Sequence, residues 1–157
     1  MTLYESESFA APAGWEPLDI YFKNNRIPWI DILVATEDEP LTRIATYIDS
    51  ASSEALELLS RPTNRFRIPT TTKERYLGRG LSGDIYGQEG TIARMRIGSH
   101  QLTDVLVAVA PAVVRSKQKE ADGVIGNNAL RRFNVIFDYA HNKMHVRRNS
   151  HFSEPFQ

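Results

Sequence analysis

Two short stretches decide the fold of this chain: Ile48–Ser53, which reads IDSASS, and Asp122–Gly126, which reads DGVIG. In the first, an apolar strand pattern ends at Asp49 and a tight turn of small and hydroxyl residues follows. In the second, two glycines enclose a pair of β-branched residues, and a short amphipathic segment, 128–133, comes next. The chain thus presents a carboxylate on a turn at the end of a strand, which makes Asp49 the first candidate for chemistry.

The overall composition excludes several classes of function. The 157 residues suit one domain of ordinary size, and 19 basic residues balance 19 acidic ones, so no net field would attract the chain to nucleic acid or to a membrane surface. The arginines that gather locally lack interleaved aromatic residues and are interpreted as a solvated face. The absence of cysteine excludes disulfides and thiolate metal sites, and no apolar run has the length of a transmembrane helix.

The four histidines do not indicate a metal site. His141 and His145 stand four residues apart, but the segment around them predicts a turn followed by a strand rather than a helix. Their rings would therefore not converge on one ion. We expect neither a metal nor an organic cofactor.

Many short strands separated by turn signals are typical of a mostly β, barrel-like domain. Apolar or alternating runs predict strands at 18–22, 27–35, 43–48, 92–97, 102–110, 133–139 and 143–148. One short helix is predicted at Ser53–Leu59, where Ser52 or Ser53 could cap the first turn, and a second at Asn127–Arg132. The expected fold is all-β with two short helices.

A glycine-rich segment, 70–91, predicts a long hairpin. Its glycines are Gly78, Gly80, Gly83, Gly87 and Gly90. Glycine gives a hairpin tip the freedom that a lid needs, but it also suits an ordinary hairpin, so both interpretations stay open. Tyr76 and Tyr86 flank the tip and are either lid aromatics or surface strand residues.

Together, and in this order, the two opening stretches resemble the half-site of an aspartic peptidase. Ile48–Ser53 is similar to the Asp-Thr/Ser-Gly-Ala/Ser-Ser signature of retropepsin-like and pepsin-like enzymes. Residues 122–130 resemble the Asp-Gly-Ile-Leu-Gly-x-x-x-Leu segment near the end of each lobe, and 132–139 resemble the strand that follows it. The resemblance covers about 27–149 and implies a retropepsin-like (acid protease) lobe, a closed β-barrel with two short helices.

Among such proteins, the chain is most similar to bacterial ones in which two lobes precede a PDZ domain. Residues 152–157 read much like the segment after the last strand of those proteins, and the start of the chain resembles the opening of their second lobe. We therefore expect an irregular lead-in at 1–17, the lobe at 18–149 and, at 150–157, a linker to a further domain. The resemblance implies a secreted or periplasmic protein, although 1–15 lack the apolar core of a signal peptide.

The same resemblance assigns roles to the residues of the first motif. Asp49 takes the place of the catalytic carboxylate, and Ser50 that of the hydroxyl residue that bonds across the interface to the partner loop. Ser52 occupies a position that in pepsin-like members offers a hydrogen bond to the catalytic carboxylate. Ala51 departs from the family, which has glycine there so that two catalytic loops can meet closely. Its methyl group is either accommodated or pushes the loops apart, and the sequence leaves this open.

Supporting roles follow for residues elsewhere in the chain. The flap that closes over a bound peptide would have its tip at Gly80, Leu81, Ser82 and Gly83. Ile125 and Gly126 would pack beneath the catalytic loop. Asp122, although a carboxylate, matches a structural position of the family.

The implied chemistry needs two carboxylates that share one proton, one acting as a base toward water and the other as an acid toward the carbonyl oxygen. This chain supplies one, so its partner Asp must come from a second copy or a second lobe. The sequence predicts an aspartic endopeptidase lobe that acts on a peptide or protein substrate. Two alternatives stay open: a non-catalytic peptide-binding or assembly lobe of the same fold, and a small β-barrel module in which Asp49 only caps a turn.

Overall fold

Strands dominate the regular structure of this chain. The computed structural model describes residues 2–3, 9–23, 26–80, 83–115 and 119–156. The strands within these ranges are β1 (Glu16–Asp19), β2 (Tyr21–Lys23), β3 (Ile27–Ala35), β4 (Thr42–Ile48), β5 (Leu56–Ser60), β6 (Thr72–Gly80), β7 (Gly83–Ile97), β8 (His100–Pro111), β9 (Gly123–Ile125), β10 (Phe133–Asp138) and β11 (Lys143–Arg148). A 3-10 segment, Ala112–Arg115, follows β8, and one helical turn, α1 (Asn127–Leu130), follows β9.

The strands form two sheets. The smaller sheet has the order β1–β11–β10 and is antiparallel. The larger sheet has the order β2–β3–β4–β9–β5–β8–β7–β6, in which the pairs β4–β9 and β5–β8 are parallel. β7 also pairs with β3, where Leu33–Ala35 lie opposite Arg94–Arg96. This lateral pairing joins two strands that stand five places apart in the sheet order.

β9 lies between β4 and β5, and this placement organises the larger sheet. It runs parallel to β4, with Ile48 opposite Ile125, and antiparallel to β5, with Leu56 opposite the same Ile125. A Cβ atom at Gly123 would lie 2.6 Å from the Glu57 carbonyl oxygen. Glycine is therefore required here, because any side chain would prevent the close backbone approach.

The helix predicted at Ser53–Leu59 is wrong, because this segment leads into strand β5. Its residues have good helix propensity, but β5 is hydrogen-bonded to β8 on one side and to β9 on the other. Leu56 and Leu58 belong to the main hydrophobic core, whereas Leu59 packs into a second apolar cluster. Both faces of the segment are thus buried, and tertiary packing overrides local propensity.

Apolar side chains form two clusters, as expected for strands whose alternate residues face opposite sides. The main core draws residues from strands of both sheets, among them Ile32, Val107 and Met144. We call the second one the outer cluster; it consists of Trp29, Tyr47, Leu59, Ala110, Ala121 and Val124. Along β9, Val124 therefore packs in the outer cluster and its neighbour Ile125 in the main core.

The sequence predicted the fold class and several elements correctly. The mostly β class is confirmed, strands are found at 27–35 and 42–48, and the helix predicted at Asn127–Arg132 is present as the shorter α1. Closure into a barrel stays a prediction, which the β3–β7 pairing supports. β1 begins at Glu16, inside the predicted lead-in. Among the described residues, no helix has the length and apolar character needed to span a membrane.

The segment after β11 packs against the lobe around Arg132, whose side chain is fully buried. Its Nη atoms donate hydrogen bonds to the carbonyl oxygens of His151, Phe152, Glu154 and Pro155. Its Nε donates to the Asn128 carbonyl oxygen at 3.1 Å, and the guanidinium carbon lies 3.6 Å from the Phe156 ring centre. The Arg132 side chain therefore fastens residues 151–156, which the sequence predicts to be part of a linker, beside α1.

Replacing Arg132 with Met should destabilise the fold by about 3 kcal/mol, because several charge-assisted hydrogen bonds disappear while the apolar volume is kept. Arg131→Met is the matched control, since Arg131 is half-exposed and pairs with Glu154 at the surface, where an ion pair contributes about 1 kcal/mol or less. Urea unfolding of both variants measures the difference. Equal losses of stability would contradict a structural role specific to Arg132.

Candidate active site

The loop that carries Asp49 starts where β4 ends and is held by β9. The Asp49 N–H donates to the Ile125 carbonyl oxygen at 2.9 Å, which extends the β4–β9 ladder by one bond. The chain then turns, and the Ser52 N–H donates back to the Asp49 carbonyl oxygen at 3.1 Å. Asp49 is therefore the last residue whose backbone is fixed by the sheet, and its side chain projects at the start of the turn.

The Asp49 carboxylate is oriented by the turn that follows it. Its Oδ1 accepts a hydrogen bond from the Ala51 N–H at 3.0 Å, a local bond that holds the side chain over the turn. Asp49 is half-buried, whereas Ser50 and Ala51 are exposed. Ser52 Oγ accepts a hydrogen bond from the Glu54 N–H at 3.4 Å. A carboxylate that is partly shielded and fixed in direction can accept a proton from a bound water molecule.

The far half of the loop is fastened to the start of α1. The Asn127 N–H donates to the Ser52 carbonyl oxygen at 2.7 Å, and the Asn128 N–H donates to the Glu54 carbonyl oxygen at 3.1 Å. At Gly126 a Cβ atom would lie 2.3 Å from the Glu54 carbonyl oxygen and 2.9 Å from Ser52 Oγ. The loop can sit this close to α1 because residue 126 has no side chain.

Asp122 is occupied by structural contacts. Its Oδ2 accepts a hydrogen bond from the Ala45 N–H at 3.0 Å, and its own N–H donates to the Ala45 carbonyl oxygen at 2.8 Å. Its Oδ1 lies 3.8 Å from the Arg61 guanidinium. These bonds join the entry of β9 to β4.

The β6–β7 hairpin contacts both the outer cluster and the Asp49 loop. Leu77 packs on the outer cluster, and a Cβ atom at Gly87 would lie 2.4 Å from the Val109 carbonyl oxygen, so the middle of the hairpin lies close to β8. Arg75 Nη1 lies 3.1 Å from a Glu54 carboxylate oxygen. Sequence reasoning missed this ion pair, since neither residue stands in a recognisable motif.

The two tyrosines near the hairpin tip form a surface pair. Tyr76 and Tyr86 lie opposite each other across β6 and β7, with ring centres 5.5 Å apart, and each is about half exposed. Of the predicted flap tip, Leu81 and Ser82 lie outside the described residues, while Gly80 pairs with Gly83.

Candidate metal ligands do not assemble in the part of the chain that the structure describes: it contains no group of three or more His, Cys, Asp or Glu side chains that could hold an ion. His141 Nδ1 lies 2.8 Å from an Asp138 carboxylate oxygen, and His145 Nε2 lies 3.8 Å from the same oxygen. These contacts occur at the β10–β11 turn, on an element that contributes no residue to the Asp49 loop.

Comparison with known proteins shows what this chain is similar to in structure. No protein-family model and no curated protein matches its sequence. Among solved structures, it is similar to a retropepsin-like aspartic protease from Rickettsia conorii, with 16% sequence identity, a TM-score of 0.55, and coverage of 86% of this chain and 96% of that one. The likeness shows that the two proteins share a fold.

Replacing Gly126 with Ala should displace the loop, because the new methyl group meets the Glu54 carbonyl oxygen; we expect a loss of stability of about 1–3 kcal/mol. Ser53→Ala changes an exposed residue of the same loop and serves as the control. Urea unfolding, together with amide NMR shifts of residues 49–55, measures the effect. A variant with wild-type stability and unshifted loop amides would show that the loop does not depend on this contact.

Proposed function

We propose that this chain is one lobe of an aspartic endopeptidase, in which Asp49 is one of two carboxylates that activate a water molecule for peptide hydrolysis. The observation that carries the proposal is the placement of Asp49: a half-buried carboxylate oriented by the Ala51 N–H, on a loop fastened to β9 and α1. The shared fold with a retropepsin-like aspartic protease supports the same reading.

The reaction requires a second carboxylate close to Asp49. Two carboxyl groups at contact distance cannot both ionise, so one holds a proton while the other is free to take one from water. The base generates the nucleophile and the acid protonates the carbonyl oxygen of the scissile bond. The partner is an Asp from a second copy of the chain or from a second lobe, related by a twofold or pseudo-twofold axis.

The residues after Asp49 have distinct proposed roles. Ser50 is exposed, which suits a hydroxyl contact with the partner loop. Ser52 would reorient from the Glu54 N–H toward the Asp49 carboxylate in the assembled site. Ala51 is exposed and is not among the residues with positive φ, so its methyl group costs little within one lobe. Any steric conflict arises where two lobes meet.

The substrate of this site would be an extended peptide. Among the described residues, β6 is the last strand in the order of the larger sheet, so a peptide could add to its outer edge through backbone hydrogen bonds. The hairpin would act as the flap, with Ile125 and Gly126 supporting the Asp49 loop from below.

For the whole protein, our proposal is a secreted or periplasmic two-lobe peptidase with a PDZ domain.

The second candidate function is a lobe of the same fold that binds peptides or shapes an assembly without cleaving them. It is favoured by two features of the sequence: the chain supplies one Asp of the required pair, and Ala51 stands where the resembling family has glycine. A peptidase lobe and a peptide-binding lobe both predict peptide binding, whereas cleavage is expected of the peptidase lobe alone.

Asp49→Asn should lower peptide cleavage by about 1,000-fold or more, because an amide cannot act as the base. Asn can still accept the Ala51 N–H bond, so unfolding in urea should change little. Ser53→Ala is the control, and light scattering after size exclusion gives the mass of each protein. A monomer that cleaves peptides at every concentration, or an Asp49→Asn variant with full activity, would contradict a two-Asp site.

Ala51→Gly should raise kcat/KM by about 10-fold if the methyl group keeps two catalytic loops apart, since small displacements of catalytic groups are costly in rate. The same change should lower stability by about 0.5–1 kcal/mol through the greater freedom of the unfolded chain. Peptide-cleavage kinetics and urea unfolding measure the two effects. An unchanged kcat/KM would show that the methyl group does not limit activity.

A further inference from the structure

Arg75 joins three parts of the molecule through one guanidinium group. Its Nη1 lies 3.1 Å from a carboxylate oxygen of Glu54, on the Asp49 loop, and 2.8 Å from a carboxylate oxygen of Glu89, on β7. Arg75 itself lies on β6, opposite Gly87 of β7. A single cation thus links both arms of the hairpin to the loop that carries Asp49.

The network is better placed than an ordinary surface ion pair. The exposed fraction of the side chain is 15% for Glu54, 37% for Arg75 and 29% for Glu89. Partial burial reduces screening by water and salt, and the shared cation couples the two ion pairs. The network should therefore contribute more stability than a single exposed ion pair does. The three groups together carry one excess negative charge, so the removal of Arg75 would leave two carboxylates without their bridging cation.

The loop end of the network is rigid. The backbone of Glu54 is held by the Asn128 N–H, and residue 126 beneath it has no room for a side chain. Two residues beyond Arg75 toward the tip, Leu77 packs on the outer cluster and gives the hairpin a second, separate anchor. Loss of the ion pair should therefore leave the hairpin folded but less firmly held relative to the loop.

We propose that Arg75 is a positioning residue, which fixes the position of the β6–β7 hairpin relative to the Asp49 loop through its ion pair with Glu54. This inference rests on the proposed function, because the hairpin is then the flap over the peptide site. Because this ion pair sets where the hairpin lies relative to the peptide site, the affinity for peptide should depend on Arg75 and, through screening of the pair, on ionic strength.

Hydrogen exchange of backbone amides tests the contact without any turnover. In Arg75→Gln and Glu54→Gln, exchange at 76–78 and 85–87 should rise about 5- to 10-fold, and the double variant should rise no further, since both changes break one interaction. Lys73→Gln, an exposed cation on the same strand, should leave exchange unchanged. Unchanged exchange in Arg75→Gln, or an equal rise in Lys73→Gln, would overturn the proposal.

Peptide affinity separates a positioning role from a merely structural one. The probe is a decapeptide without charged side chains that the wild-type protein cleaves, and its Kd is measured in the Asp49→Asn background. In Arg75→Gln, this Kd should change several-fold and should no longer depend on NaCl concentration. Arg75→Lys keeps the positive charge, so its Kd should change less and should still depend in part on NaCl concentration. A rise in exchange with an unchanged Kd would overturn the positioning role. If no peptide is cleaved, the proposed function fails, yet the exchange experiment still decides whether the ion pair holds the hairpin.

Discussion

The passage of β9 between β4 and β5 is the constraint on which the rest of the structure depends. Three backbones lie side by side there, and two glycines make this possible, because side chains at Gly123 and Gly126 would meet the carbonyl oxygens of Glu57 and Glu54. β9 thus forms backbone hydrogen bonds with β4 on one side and with β5 on the other. The chain that connects β4 to β5, which contains Asp49, therefore forms a tight loop at the end of these strands.

A chain of contacts extends outward from this point. The Asp49 loop is bonded to the start of α1, the end of α1 is bonded to Arg132, and Arg132 holds the carbonyl oxygens of the segment after β11. On the other side, Glu54 pairs with Arg75 of the hairpin. The loop is therefore a rigid platform between two surface elements, which is the support that an oriented carboxylate needs. In the proposed function, Asp49 on this platform supplies one of the two carboxylates that hydrolysis needs.

Sequence patterns predicted the elements whose local signal agreed with their surroundings. β3 and β4 were predicted because their apolar and alternating runs match a strand, and α1 because a polar, turn-rich start precedes a short amphipathic segment. Ser53–Leu59 was predicted incorrectly, since a run of good helix formers is buried on both sides between β8 and β9. The difference in intrinsic preference between helix and strand is smaller than the free energy gained by burying Leu56, Leu58 and Leu59, so packing decides the outcome.

The sequence by itself determined the mostly β class, the two glycine positions of the β9 motif and the candidate Asp49, because each is recorded in residues close together in the chain. The tertiary structure alone decided that Arg132 is fully buried and that Arg75 reaches Glu54, 21 residues away. The physical reason is that burial and ion pairing depend on which remote segments arrive beside a side chain. An arginine outside a recognised motif is interpreted as a surface residue in any sequence, and here the fold supplies the carbonyl oxygens and carboxylates that give two arginines structural roles.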